Sequence, residues 1–104
     1  MSTEPTKAPI AFLLEVRSAE GRMGDLIHWC EQNLRDTRAR EGCFSCELFT
    51  NPDDPNAAVI LEYWRSREDH QAYGRWRAEN GSGAEFGALL AEPPNARYVN
   101  FQPT

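Results

Sequence analysis

Residues 42 to 69 read GCFSCELFTNPDDPNAAVILEYWRSRED, and their punctuation decides the fold. Cys43 to Thr50 alternates apolar and polar side chains, the period of a half-buried strand. The segment Asn51-Pro52-Asp53-Asp54-Pro55-Asn56 is dense turn chemistry. Ala57 to Trp64 (AAVILEYW) is a second β run, close enough to the first to predict an antiparallel hairpin. Ser66 then stands three residues before Asp69, the pattern of a helix N-cap with its reciprocal acid.

Working outward, Pro9 to Arg17 (PIAFLLEVR) is an earlier strand with no internal breaker. Gly21 and Gly24 mark a turn, and from Arg22 to about Arg40 the residues Met23, Leu26, Ile27, Cys30 and Leu34 recur at helical spacing. Asp25 near the start and Arg35, Arg38 and Arg40 near the end suit the helix dipole, and Gly42 is the stop. Downstream, a helix runs from Ser66 through about Glu79 to the break Asn80-Gly81-Ser82-Gly83. A short helix, Ala84 to Ala91, ends at Pro93 and Pro94, and Arg97 to Gln102 is a last strand. The order β-α-β-β-α-β predicts an α+β, ferredoxin-like chain with an antiparallel sheet. Residues 1 to 8 are expected to be a flexible lead and residues 9 to 104 a single domain.

Both sides of the strands are apolar. Phe12, Leu14 and Val16 share one face, as do Ile60, Glu62 and Trp64, while Leu13, Val59, Leu61 and Tyr63 point the other way. Helices cover only one face of such a sheet, so the other predicts a homodimer packed sheet to sheet.

Composition narrows the function classes. Sixteen acidic residues against eleven basic ones give a net charge of -5, which argues against a nucleic-acid surface. The absence of a run near the ~20 apolar residues of a membrane span, and of a basic-then-apolar leader in MSTEPTKAP, predicts no membrane association and a cytoplasmic address. Three cysteines (Cys30, Cys43 and Cys46) are too few and too oddly numbered for a disulfide framework. The one CxxC has no second ligand pair, so no metal is expected.

The run Gly42-Cys43, Glu47-Leu48-Phe49, Asn51 to Asn56, Val59 to Leu61, Glu62-Tyr63-Trp64 and Ser66 to Asp69 resembles the antibiotic biosynthesis monooxygenase family. That resemblance implies a dimeric α+β barrel of two ferredoxin-like subunits, each with a pocket between helices and sheet. It also implies a cofactor-independent oxygenase acting with O2 on a quinol-like or polycyclic, anthrone-type phenol, the substrate supplying the electrons. Four departures stand out. Val16 and the Gly74 to Trp76 region replace the Asn and His of the haem-degrading branch. Ile60 stands where the polyketide oxygenases carry Asn, and Tyr73 where many members carry His. His70 occupies a helix position that is apolar in the family.

The expected catalytic group is Trp64, to orient a flat ring, with His70 and Tyr73, three apart on one helix face, to handle a phenolic proton. Glu62 on the Trp64 face is a weaker candidate base, with an ion pair to Arg17, Arg75 or Arg77 as the favoured reading. Phe12, Leu14, Val16, Ile60, Glu62, Trp76, Phe86 and Leu90 are the expected substrate-binding wall. His28 reads as solvated, and Trp29, off the centre of its helix's apolar stripe, as a rim or dimer-contact residue. Gly81 and Gly83 flank a loop that could act as a lid or simply end a helix. The alternative to an enzyme is a non-catalytic module that holds a small ligand in the same pocket.

Overall fold

The computed structural model describes residues 9–104, so the lead expected at residues 1 to 8 lies outside the described residues. Its elements are β1 (Ile10–Arg17), α1 (Met23–Ala39), β2 (Cys43–Asn51), β3 (Asp54–Trp64), α2 (Arg67–Glu79), α3 (Ser82–Gly87) and β4 (Asn95–Val99). The four strands form one antiparallel sheet in the order β2-β3-β1-β4, the split arrangement that the sequence predicts.

Three boundaries differ from expectation. β3 starts at Asp54 rather than Ala57, because Asn51 pairs with Asp54 and leaves only Pro52 and Asp53 as the turn. Asn51 Oδ1 accepts from Asp53 N at 2.8 Å, and Arg17 donates to Asp54 at 2.7 Å. The register shift there leaves Pro55 outside the β2–β3 ladder, where its missing N–H costs nothing. α3 occupies Ser82–Gly87 instead of Ala84 to Ala91, because Asn80 Oδ1 accepts from Ser82 N at 2.9 Å and starts the turn early. β4 spans Asn95–Val99 rather than Arg97 to Gln102, its edge fixed by Arg97 donating to Glu15 at 2.6 Å.

The CxxC run also departs from simple alternation. Cys43 pairs with Trp64 and Cys46 with Glu62, so both face the helices although three apart. A bulge at Phe44, which is exposed, absorbs the extra residue and re-aims the strand. All three thiols are free, and burial holds Cys30 and Cys43 well above the ordinary thiol range, at about 11.

α1 and α2 lie on one face of the sheet. Leu26, Cys30, Leu34 and Thr37 are the buried residues of α1, and the first three meet Val16, Cys46, Ala58, Ile60, Phe86 and Leu89 in one core. Ser66 caps α2, accepting from Asp69 N at 3.2 Å. The other face of the sheet carries Leu13, Val59, Leu61 and Tyr63, all half-buried, flanked by Phe49 at 53% exposure and Val99 at 38%. Among the described residues no helix is long and apolar enough to cross a membrane.

Candidate functional site

Between the helices and the sheet lies a cavity of about 110 Å³. Its lining draws on every layer: Phe12 and Leu14 from β1, Ile60 and Glu62 from β3, Trp29 and Leu34 from α1, His70, Tyr73 and Arg77 from α2, and Gly83 and Phe86 from α3. Register explains the convergence, since Phe12 pairs with Glu62 and Leu14 with Ile60, and paired residues share a face.

Glu62 is 4% exposed, and no Arg forms the ion pair expected of it. Arg17 is engaged with Asp54, Arg75 is exposed, and Arg77 bonds to neutral oxygens instead. Burial pushes the Glu62 carboxyl up to about 7, against the opposing effects of the Trp64 hydrogen bond and the Arg77 charge. Trp64 donates its indole N–H to Glu62 Oε1 at 2.9 Å, while Oε2 takes part in no hydrogen bond among the described residues.

His70 stands next to this carboxyl, with Nε2 3.8 Å from Glu62 Oε1, too long for a hydrogen bond. Its Nδ1 meets the Tyr98 hydroxyl at 2.7 Å, and its ring lies 4.0 Å from Phe12, centroid to centroid. Burial pulls the imidazole down to about 4. Near neutral pH His70 is therefore uncharged, and Glu62 is divided between its two forms.

Tyr73 lines the cavity, but its hydroxyl is committed. It accepts from Arg77 Nε at 2.8 Å and shares a 2.7 Å bond with Thr37 Oγ1. Burial raises its pKa from the usual phenolic value. Arg77 is 6% exposed and also donates to Ser82 Oγ, Asn33 O and Thr37 Oγ1, at 3.1, 2.7 and 3.0 Å. That network fastens the Asn80 to Gly83 segment to α1 and α2, and Gly83 itself lines the cavity.

Of the expected residues, Phe12, Leu14, Ile60, Glu62, His70, Tyr73 and Phe86 meet at the cavity. Trp64, Val16, Trp76 and Leu90 do not line it. Trp64 is fully buried behind Glu62, stacked at 5.2 Å on Tyr73, so its contact is with the carboxyl. Val16 belongs to the core one residue pair further along β1, and Leu90 bridges to Ser18. Trp76 has the guanidiniums of Arg40 and Arg77 against its ring, at 4.8 and 4.9 Å. Thr37 and Arg77 carry no apolar signal. Their legible sign was position alone, since Arg77 lies one helical turn beyond Tyr73. Tyr98 is the β4 partner of Phe12, which only the register reveals. His28 is exposed, as expected.

Solved structures share this fold. A conserved protein from Methanosarcina mazei Go1 superposes with a TM-score of 0.83 at 12% identity, covering 93% of this chain and 96% of that one. Rv0793 from Mycobacterium tuberculosis gives 0.81 at 22%, covering 93% and 98%. A mutant of SnoaB, a cofactor-independent oxygenase from Streptomyces nogalater, gives 0.80 at 10%, covering 92% and 95%. No curated protein sequence matches. At these identities the superpositions establish the fold alone. The family model for antibiotic biosynthesis monooxygenase, however, matches residues 9–78, which hold the hairpin and every cavity residue except Gly83 and Phe86. By fold and by sequence, the chain belongs to the antibiotic biosynthesis monooxygenase family.

Proposed function

We propose that this chain is a cofactor-independent monooxygenase that oxidises an aromatic hydroxyl compound with O2 in the cavity around Glu62. The observation that carries the reading is a carboxyl buried at 4% exposure, without an arginine partner, on an apolar cavity. A carboxyl held at about 7 is part ionised at neutral pH and basic enough to take a phenolic proton. His70, held at about 4, is the weaker base, and Tyr73 has its hydroxyl engaged elsewhere.

In this mechanism Glu62 Oε2 removes the hydroxyl proton and leaves an oxyanion on the ring. The electron-rich ring then reacts with O2. The balance closes without another reductant. The ring loses its hydroxyl hydrogen and one ring hydrogen, one oxygen atom becomes a carbonyl, and the other leaves as water. Glu62 returns its proton to the second oxygen atom as that atom leaves as water. Trp64 acts through Glu62, orienting Oε1 so that Oε2 faces the substrate.

Two copies join through the apolar sheet face in this reading, and the free thiols suit the reducing cytoplasm. Purified protein stripped of metal and flavin, given a panel of hydroquinones and anthrones under isotopically heavy O2, should yield product carrying one heavy oxygen atom. A panel that binds without O2 uptake favours a ligand-holding module, the reading that Ile60 and the engaged Tyr73 hydroxyl support.

A further inference from the structure

Arg77 is a buried cation whose hydrogen bonds all go to neutral oxygens: Tyr73 Oη, Ser82 Oγ, Asn33 O and Thr37 Oγ1. A guanidinium has five N–H donors, and these four bonds leave one on Nη1 without an acceptor. Beside it, 5.3 Å from the guanidinium carbon, lies the ring of Trp29, whose indole N–H is buried with no acceptor among the described residues. Both residues line the cavity that Glu62 lines. A guanidinium N–H without an acceptor and a carboxyl oxygen without a partner thus belong to side chains on one small space, with the Trp29 N–H buried beside it.

Size sets the second condition. An apolar cavity of about 150 Å³ takes a single benzene. This one measures about 110 Å³ and is open on one side, so a single ring already fills it and a fused ring system would lie largely outside it. Ile60, Leu34 and Phe86 belong to the buried core as well as to its wall, so room cannot be made there without repacking.

We propose that the substrate is one aromatic ring bearing a hydroxyl, presented to Glu62, and a carboxylate, received by Arg77, and that fused two- and three-ring phenols are excluded. The anion supplies the hydrogen-bonded counter-charge that Arg77 lacks, in a water-poor site where charge-assisted hydrogen bonds are strongest. The apolar side chains of Phe12, Leu14 and Ile60 pack the ring between the two polar ends. This proposal rests on the reading of the cavity as the substrate site, and it narrows the quinol or anthrone expectation to monocyclic acids.

The test is anaerobic titration followed by tryptophan fluorescence, with para-hydroxybenzoate, para-hydroxybenzamide, a hydroxynaphthoate and anthrone as probes. The acid should bind at least about tenfold tighter than its nearly isosteric neutral amide, the worth of one charged hydrogen bond. The two fused-ring probes should not bind. Arg77→Gln should erase the acid–amide difference, and Phe86→Ala, which opens the wall, should admit the hydroxynaphthoate. Should Arg77→Gln fail to fold, the acid–amide ratio of the unmodified protein decides alone. Equal affinity for acid and amide, or anthrone binding tighter than either single ring, overturns the proposal. Oxygen uptake plays no part in these titrations. Acid binding without turnover would retire the oxygenase and keep this proposal, whereas turnover of anthrone would do the reverse.

Discussion

Glu62 and His70 are perturbed in opposite senses by the same burial, and this has a measurable consequence. The carboxyl moves from 4.5 to about 7 and the imidazole from 6.5 to about 4. Between pH 4.5 and 6.5 the unfolded chain holds one proton on His70, and the folded chain holds one on Glu62. Equal proton counts mean that the pair gives stability no pH slope in that window. Glu62→Gln leaves His70 alone, whose folded pKa is depressed, so its stability contribution is present above pH 6.5 and is lost as pH falls toward 4. His70→Gln leaves Glu62 alone, whose raised pKa gives the opposite slope, with stability lost as pH rises from 4.5 to 7. Urea midpoints across pH 4 to 7.5 should show the two opposed slopes, each up to about 3 kcal/mol. Trp64→Phe removes the donor that holds the Glu62 pKa down, so the acid limb of the pH–rate profile should move to higher pH.

The hairpin and the helix that follows it were the legible elements, because their signals are local. Asn51 to Asn56 announces a turn and Ser66 with Asp69 announces a cap, and both formed. The bulge at Phe44 was not legible, since alternation places Cys43 and Cys46 on opposite faces and only the β3 register brings them together. Residues at the cavity divided the same way. Alternation puts Val16 on the correct face, but depth along a strand depends on which helix residue lies above it. Thr37, Arg77 and Tyr98 are polar residues whose partners are distant in sequence, and periodicity of apolar residues carries no trace of them. At this scale Gly42 is the sensitive joint between α1 and β2. Its φ is +86°, and a Cβ there would meet Asp69 Cγ at 2.6 Å. Asp69 cannot yield freely, because it is held by Ser66 and Arg65 at 2.9 and 2.8 Å. Gly42→Ala should therefore cost about 2 kcal/mol or more, read as a fall in melting temperature.

For the molecule as a whole, the sheet presents one finished face and one unfinished face. The helix side encloses core and cavity, and the opposite side carries Leu13, Leu61, Tyr63 and Phe49 with nothing above them among the described residues. In the proposed sheet-to-sheet dimer, Leu61→Glu puts a charge in the middle of that face and should turn a sedimenting dimer into a monomer. The family resemblance carried by residues 42 to 69 announced the fold and the family in advance. It did not single out Glu62 as the proposed base, because burial of Glu62 without an arginine emerges only when α2 packs over the sheet. That carboxyl is also where the functional account is most open to direct test. The measurement is steady-state O2 consumption by metal- and flavin-free Glu62→Gln beside the unmodified protein, on a substrate the latter turns over. A fall of about 100-fold or more in kcat, with substrate affinity kept, is the predicted result; equal rates in the two proteins would contradict it.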